Sequence, residues 1–208
     1  MIDQTTLFTY LAILVGFVFL PGPAVILTLT RAASSGTRVG VATGLGIAVG
    51  DLIHTAMAVL GLSVIIMTSA FAFNLVKYLG AAYLVYLGVR AIVERSEMAA
   101  LNGAPRITGR DAFRQGLLAE VLNPKSAMFF LAFLPQFVRP ENGAVTLQLT
   151  ILGVLFVLMG LVSTVTVAAF SGSVGRLLRT HPAVQRWQGK VVGTIYCGLG
   201  LRLALQER

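Results

Sequence analysis

The sequence predicts an all-α polytopic membrane protein, with six transmembrane helices forming two inverted three-helix repeats whose first and fourth helices are broken. Three observations predict this. Of 208 residues, 56% are hydrophobic and only 12% charged, with a mean hydropathy of +0.84, too apolar for a soluble domain of this size. The apolar runs are separated by short Arg-bearing connections. Two of the runs are interrupted by proline, at Pro21-Gly22-Pro23 and at Asn123-Pro124-Lys125. The chain reads as a single membrane domain over residues 1–208, with repeat halves 1–93 and 116–205 and a linker at 94–115.

The first span covers residues 6–30 and lies in a stretch, 4–30, without any charge, so its Pro-Gly-Pro is a break within the membrane and not a surface turn. Pro21 and Pro23 have no N–H, which leaves the carbonyls of Phe17 and Phe19 without helical partners; in lipid such groups must be met by protein, water or substrate. Asp3 precedes this run without any Lys or Arg, which does not fit a cleaved signal peptide. Val39–Met67 forms the second span, with Gly40-xxx-Gly44 and Gly46-xxx-Gly50 as small-residue surfaces that could pack helices within a protomer or between the two copies of a homodimer. A phosphate cradle is disfavoured there, since no Lys-Ser/Thr follows.

The third span runs over 74–93, and its Tyr78, Tyr83 and Tyr86 suit interfaces or helix contacts. Residues 94–115 read as a loop with room for one surface helix. Gly116–Val138 is the fourth span, Ala144–Gly175 the uncharged fifth, and Lys190–Leu205 the short sixth, with Trp187 near its start. Eleven Lys and Arg fall in the 1–2, 3–4 and 5–6 connections against four on the other side; with positive charge inside, both termini lie outside the cytoplasm. This placement explains the net charge of +8 by topology rather than by nucleic-acid binding. Cys197 is the single cysteine, which excludes an intrachain disulfide.

Lys77-Tyr-Leu-Gly80-Ala-Ala-Tyr83 in the third span parallels Lys190-Val-Val-Gly193-Thr-Ile-Tyr196 in the sixth, and Gly22-Pro23 parallels Asn123-Pro124, each an N-cap followed by Pro at the first helical position. Three spans separate the equivalent helices, so the halves are inverted, a plan used by many secondary transporters. Pro23 is eight residues from Arg31 and Pro124 ten from Arg114, or ~12 to 15 Å along a helix, and Asp51, twelve residues beyond Val39, falls at ~18 Å. In a hydrocarbon core ~30 Å thick, all three sit near the midplane.

Asp51 is the leading candidate for chemistry, because an intramembrane charge needs a partner, water or a proton. It could meet a substrate ammonium, carry a proton, or pair structurally with Lys125. His54, at i+3, shares its face and could relay a proton or simply bond a carbonyl. Lys125, beside the second break, could neutralise Asp51 or attract a carboxylate. Glu120 reads as an interfacial acid not facing Lys125, with its carbonyl freed by Pro124. Lys77 and Lys190 read as snorkelling boundary residues. Asp51, His54 and Glu120 fall short of a metal ligand set, and no cofactor is expected. An intramembrane enzyme would need a nucleophile beside its base, and neither Ser63 nor His181 has that setting.

The ordered set Pro21-Gly22-Pro23, Gly50-Asp51 with His54, Lys77-xx-Gly80 through Leu87-Gly88, and Leu122-Asn123-Pro124-Lys125 followed by Phe129-Phe130 and Pro135-Gln136-Phe137 resembles the LysE/RhtB family of bacterial amino-acid exporters across nearly the whole chain. That resemblance implies a multi-pass protein of the bacterial inner membrane that exports amino acids or close derivatives in exchange for protons. On this reading Pro21, Gly22, Pro23, Asp51, Asn123, Pro124 and Lys125 bind the substrate, and Asp51 and His54 couple protons. The alternatives are an intramembrane enzyme and a passive small-solute channel.

Overall fold

The computed structural model describes residues 2–19, 22–93, 104–173 and 182–205. All regular structure among them is helical. Asp3 starts the first helix, α1 (Gln4–Phe19), by accepting from the Thr6 N–H at 2.8 Å and the Thr6 hydroxyl at 2.7 Å; these bonds hold its carboxyl below the usual carboxylate range. Helix α2 (Pro23–Ser35) begins at Gly22 as N-cap, with Pro23 at the first position. The axes of α1 and α2 meet at 48°. Pro21, the remaining member of the break, lies outside the described residues.

Gly36 alone joins α2 to α3 (Thr37–Met57). Its φ of +96° is open to glycine at little cost, so the chain reverses in one residue. A π-helical turn, Ala58–Leu62, carries α3 into α4 (Ser63–Thr68). After Ser69 comes α5 (Ala70–Val93), four residues earlier than the sequence suggests. Helix α6 (Gly109–Val121) likewise begins before Gly116, because Thr108 accepts from the Asp111 N–H at 3.2 Å and caps it. Arg110 and Arg114 therefore lie on a helix and not in the linker.

The second break is at Leu122-Asn123, and α7 (Pro124–Met128) follows, running into a π segment (Phe129–Phe133) and a 3-10 turn (Leu134–Phe137). The bend between α6 and this continuation is 43°. The next loop is closed by Gln148, in the first turn of the helix that follows, which donates to the carbonyls of Arg139 (2.9 Å) and Gly143 (2.6 Å) and accepts from the Arg139 N–H (2.9 Å). Then come α8 (Val145–Ala169) and α9 (Pro182–Leu205), the latter longer than the predicted sixth span.

Three helical stretches, Thr37–Ile66, Phe71–Val93 and Val145–Ala169, are individually long and apolar enough to cross a membrane, and there are up to five crossings if each bent pair counts as one. The distribution of side chains agrees. Phe8, Leu60, Phe71 and Leu122 are each at least 70% exposed, while Asp51, His54 and Glu120 are at most 3% exposed, the reverse of a soluble surface and what lipid demands.

Individual contacts fix the helix directions. Tyr10 donates to the Leu152 carbonyl (2.7 Å) and Ser163 to that of Val18 (2.8 Å), so α1 and α8 run parallel. Gly46 meets Phe113 and Gly50 meets Glu120, which makes α3 and α6 parallel; Gly44 meets Thr164 and Gly153 meets Thr55, which makes α3 and α8 antiparallel. Gly88 lies on Gly193, and Gly200 lies on Ala81, so α5 and α9 are antiparallel. These last two helices carry the related Lys-xx-Gly sequences. Lys77 corrects one expectation: it is 5% exposed and so does not snorkel.

The close approach of α5 and α9 depends on Gly88, where a methyl would lie 2.7 Å from the Gly193 carbonyl and 2.5 Å from Cys197 Sγ. Gly88→Ala is expected to cost about 1–3 kcal/mol through overpacking. Gly198→Ala, on α9 with nothing within 4 Å of the added methyl, should unfold no earlier than wild type, since alanine is the better helix former. Thermal unfolding of the two purified variants checks this; equal melting temperatures would remove the close contact from the stability of the fold.

Candidate functional site

The two breaks are joined through the carbonyls that the prolines set free. Without Pro21, residue 21 would donate to the Phe17 carbonyl; Lys125 Nζ takes that role at 3.3 Å. The neighbouring Val18 carbonyl accepts from Ser163. Lys125 also stands 4.2 Å from the Phe17 ring centroid and 5.3 Å from that of Tyr196, a cation–π setting that suits a partly desolvated ammonium. Its side chain passes Gly22 so closely that a Cβ there would be 3.1 Å from Nζ. The first break is thus shaped to admit the lysine of the second.

Asn123 organises the other side. Its Oδ1 accepts from the Lys125 N–H at 3.0 Å and caps α7, while Nδ2 donates to both Glu120 carboxyl oxygens (3.3 and 3.2 Å) and to Ser126 Oγ (3.3 Å). Ser126 donates in turn to Glu120 Oε1. Glu120 is therefore a buried, fully engaged acid, not an interfacial one. Its backbone carbonyl, expected to be free, accepts from the Asn123 N–H (3.0 Å) and bonds His54 Nε2 (2.9 Å).

Asp51 reaches this cluster from α3. Its carboxyl lies in the fields of Glu120 and Lys125, and a Cβ on Gly160 would be 3.4 Å from Oδ2. Oδ1 is buried and has no hydrogen-bond partner, the one open valence among these acids. Buried polar atoms are seldom left so, and a bound proton, water or cation would satisfy it. Two acids against one lysine leave one negative charge uncompensated in a dry interior, which is costly unless a further positive charge is present.

Between these groups is a cavity of about 40 Å³, lined among others by Gly22, Pro23, Asp51, Glu120, Asn123 and Lys125. Of the residues singled out from sequence, Pro124 is exposed and outside the lining, and Pro21 is outside the described residues. His54 is not a lining residue either: it stacks on Phe130 (5.7 Å, 16°) and holds the Glu120 carbonyl. Sequence reasoning misplaced Glu120 as an interfacial acid and missed Ser126 and Ser163. For Glu120 the available signal was its i+3 spacing to Asn123, which puts both on one face of the helix before the break.

Sequence comparison agrees with this architecture. A family model described as LysE type translocator matches residues 15–207. The chain is 30% identical to the uncharacterized membrane protein YrhP of Bacillus subtilis, over 96% of this chain and 99% of that one. Uncharacterized membrane proteins of Vibrio cholerae and Pseudomonas aeruginosa are each 29% identical, covering 94% of both chains in the first case and 96% and 95% in the second. No solved structure matches. With the family model covering nearly the whole chain, this protein belongs to the LysE type translocator family.

Proposed function

We propose that this translocator exports amino acids or close derivatives across the bacterial inner membrane in exchange for protons. One observation carries the reading: at the meeting of two broken helices, the cavity places two acids and a lysine beside an uncapped helix N-terminus. Gly22 has no side chain to cap α2, so the Ala24 and Val25 N–H groups, both on the cavity wall, can bind a carboxylate at the positive end of the helix dipole. Asn123 caps α7 itself, so the two breaks are not equivalent for ligand binding. Lys125 adds a second anchor for the carboxylate, and the open Asp51 Oδ1 accepts from the substrate ammonium.

Coupling follows from charge balance. A substrate ammonium and a proton both supply the one positive charge that Asp51 and Glu120 lack beside Lys125, so binding of one displaces the other. A proton arriving from outside expels the ammonium, and a new substrate from the cytoplasm expels the proton. At about 40 Å³ the cavity has room for a few waters only, as expected of a closed state between loadings. The parallel pairing of α1 with α8 and the antiparallel pairing of α5 with α9 support a reading of six alternating crossings in two inverted halves with both termini outside.

The translocator family, and not the cavity's side chains, favours transport over intramembrane catalysis.

Two outcomes are expected. Asp51→Asn should lower energy-dependent export of labelled amino acid from cells by at least about tenfold, equivalent to ~1.4 kcal/mol, and make the remainder independent of external pH; wild-type export that still follows pH in this variant would eliminate Asp51 as the coupling group. For topology, alkaline phosphatase fused to the C-terminus should be active and green fluorescent protein fused there dark. The opposite pattern would mean that α9 does not cross.

A further inference from the structure

A second cavity, of about 140 Å³, lies at the other end of the molecule from the Arg-rich connections, where α1 starts and α9 ends. It has more than three times the volume of the midplane cavity. Thr5, Thr9, Gln136, Phe137, Arg139 and Arg202 contribute to its wall. Arg139 is fixed by its backbone, both polar groups of which are bonded to Gln148. Asp3 lies in the field of Arg139 but is not a wall residue, so the described lining holds two guanidiniums and no acid.

Gln136 supplies the independent observation. It is 7% exposed, donates from Nε2 to the Ala132 carbonyl at 3.2 Å, and has a buried Oε1 without a partner. Gln136 lines the cavity, and a buried acceptor without a partner costs free energy until a donor arrives. Two forked cations with a waiting acceptor match a solute that carries a carboxylate and an ammonium together. A plain anion would leave Gln136 unmet.

We propose that this cavity is an outward-facing binding site for zwitterionic α-amino acids, with Arg139 and Arg202 on the carboxylate and Gln136 Oε1 on the ammonium. It rests on the exporter reading and adds to it a station between the midplane and the exterior. The two levels are separated by a run of tilted ring contacts: Phe17 to Phe129 (4.5 Å), Phe129 to Phe133 (5.1 Å) and Phe133 to Phe137 (5.2 Å). The first of these rings lines the inner cavity and the last two line the outer one.

The test uses the full chain in phosphatidylcholine nanodiscs, titrated with the proteinogenic L-amino acids one at a time. At least one should bind, and Arg139→Gln/Arg202→Gln should weaken it by at least about tenfold. Both arginines are exposed, so the double variant should keep the wild-type melting temperature. Gln136→Leu should weaken the amino acid more than the analogue lacking its ammonium, whereas arginine loss should weaken both. Binding of no amino acid, or equal binding by wild type and double variant, overturns the outer site. So does an arginine-dependent response seen only when phosphatidylglycerol replaces phosphatidylcholine, which would assign the cavity to a lipid headgroup. The exporter reading is judged separately: if wild-type cells export no amino acid, that reading falls, whereas export with unchanged binding in the double variant removes the outer site alone.

Discussion

A carbonyl without a partner costs several kcal/mol in lipid, and this constraint generates the centre of the molecule. Proline breaks the first helix, so the Phe17 and Val18 carbonyls must be met from elsewhere. Lys125 and Ser163 meet them, which ties the first break to the second and to α8. A lysine brought into the bundle for a structural reason brings an electrostatic one with it, since its charge must be balanced. Asp51 and Glu120 supply more than the balance, and on the proposed function the surplus acid is what the exchanged cation meets. The structural repair of a broken helix and the chemistry of the cavity are therefore the same arrangement.

The acids can meet only because α3 and α6 approach at backbone distance. Gly46 lies on the Phe113 carbonyl, Gly116 on the Thr43 carbonyl, and Gly50 on the Glu120 side chain. Small residues at such crossings gain van der Waals and Cα–H···O contacts where lipid offers no hydrophobic drive to association. A larger residue at Gly50 would push Glu120 away from Asp51. The Gly-xxx-Gly pairs, read from sequence as surfaces for either intraprotomer or dimer packing, are used within the protomer.

Much of this was legible because membranes simplify the code. Uncharged runs mark helices, and Pro23 and Pro124 mark breaks whose N-caps lie at Gly22 and Asn123 as expected. Element ends were less legible: α6 starts at Gly109 because Thr108 caps it, and its charged first turn resembles a loop in hydropathy. Glu120 was misread for a more instructive reason. Its phase relative to Lys125 was counted along a continuous helix, whereas the bend at Asn123 resets the phase and lets both line one cavity. Lys77 was placed at a boundary by its position in the sequence, and tertiary packing buries it. Side-chain partners across the bundle, such as Ser163 with Val18, leave no trace in local sequence.

On the proposed export path, the irregular stretch Phe129–Phe137 is the segment that separates the two cavities. On one side is the rigid frame of α3, α6 and α8, locked by glycine contacts. On the other, successive π and 3-10 turns have already exchanged the regular i→i−4 pattern for neighbouring ones, and such turns can shift register by exchanging hydrogen-bond partners rather than losing them. A register change there would rotate Phe129 and Phe133 out of the run of ring contacts while leaving Asn123 and Lys125, which precede it, in place. Moving the frame instead would open many close-packed contacts at once. On the export reading, the least costly route between the two cavities therefore runs through this segment, which connects the lysine-bearing break directly to Gln136 and Arg139.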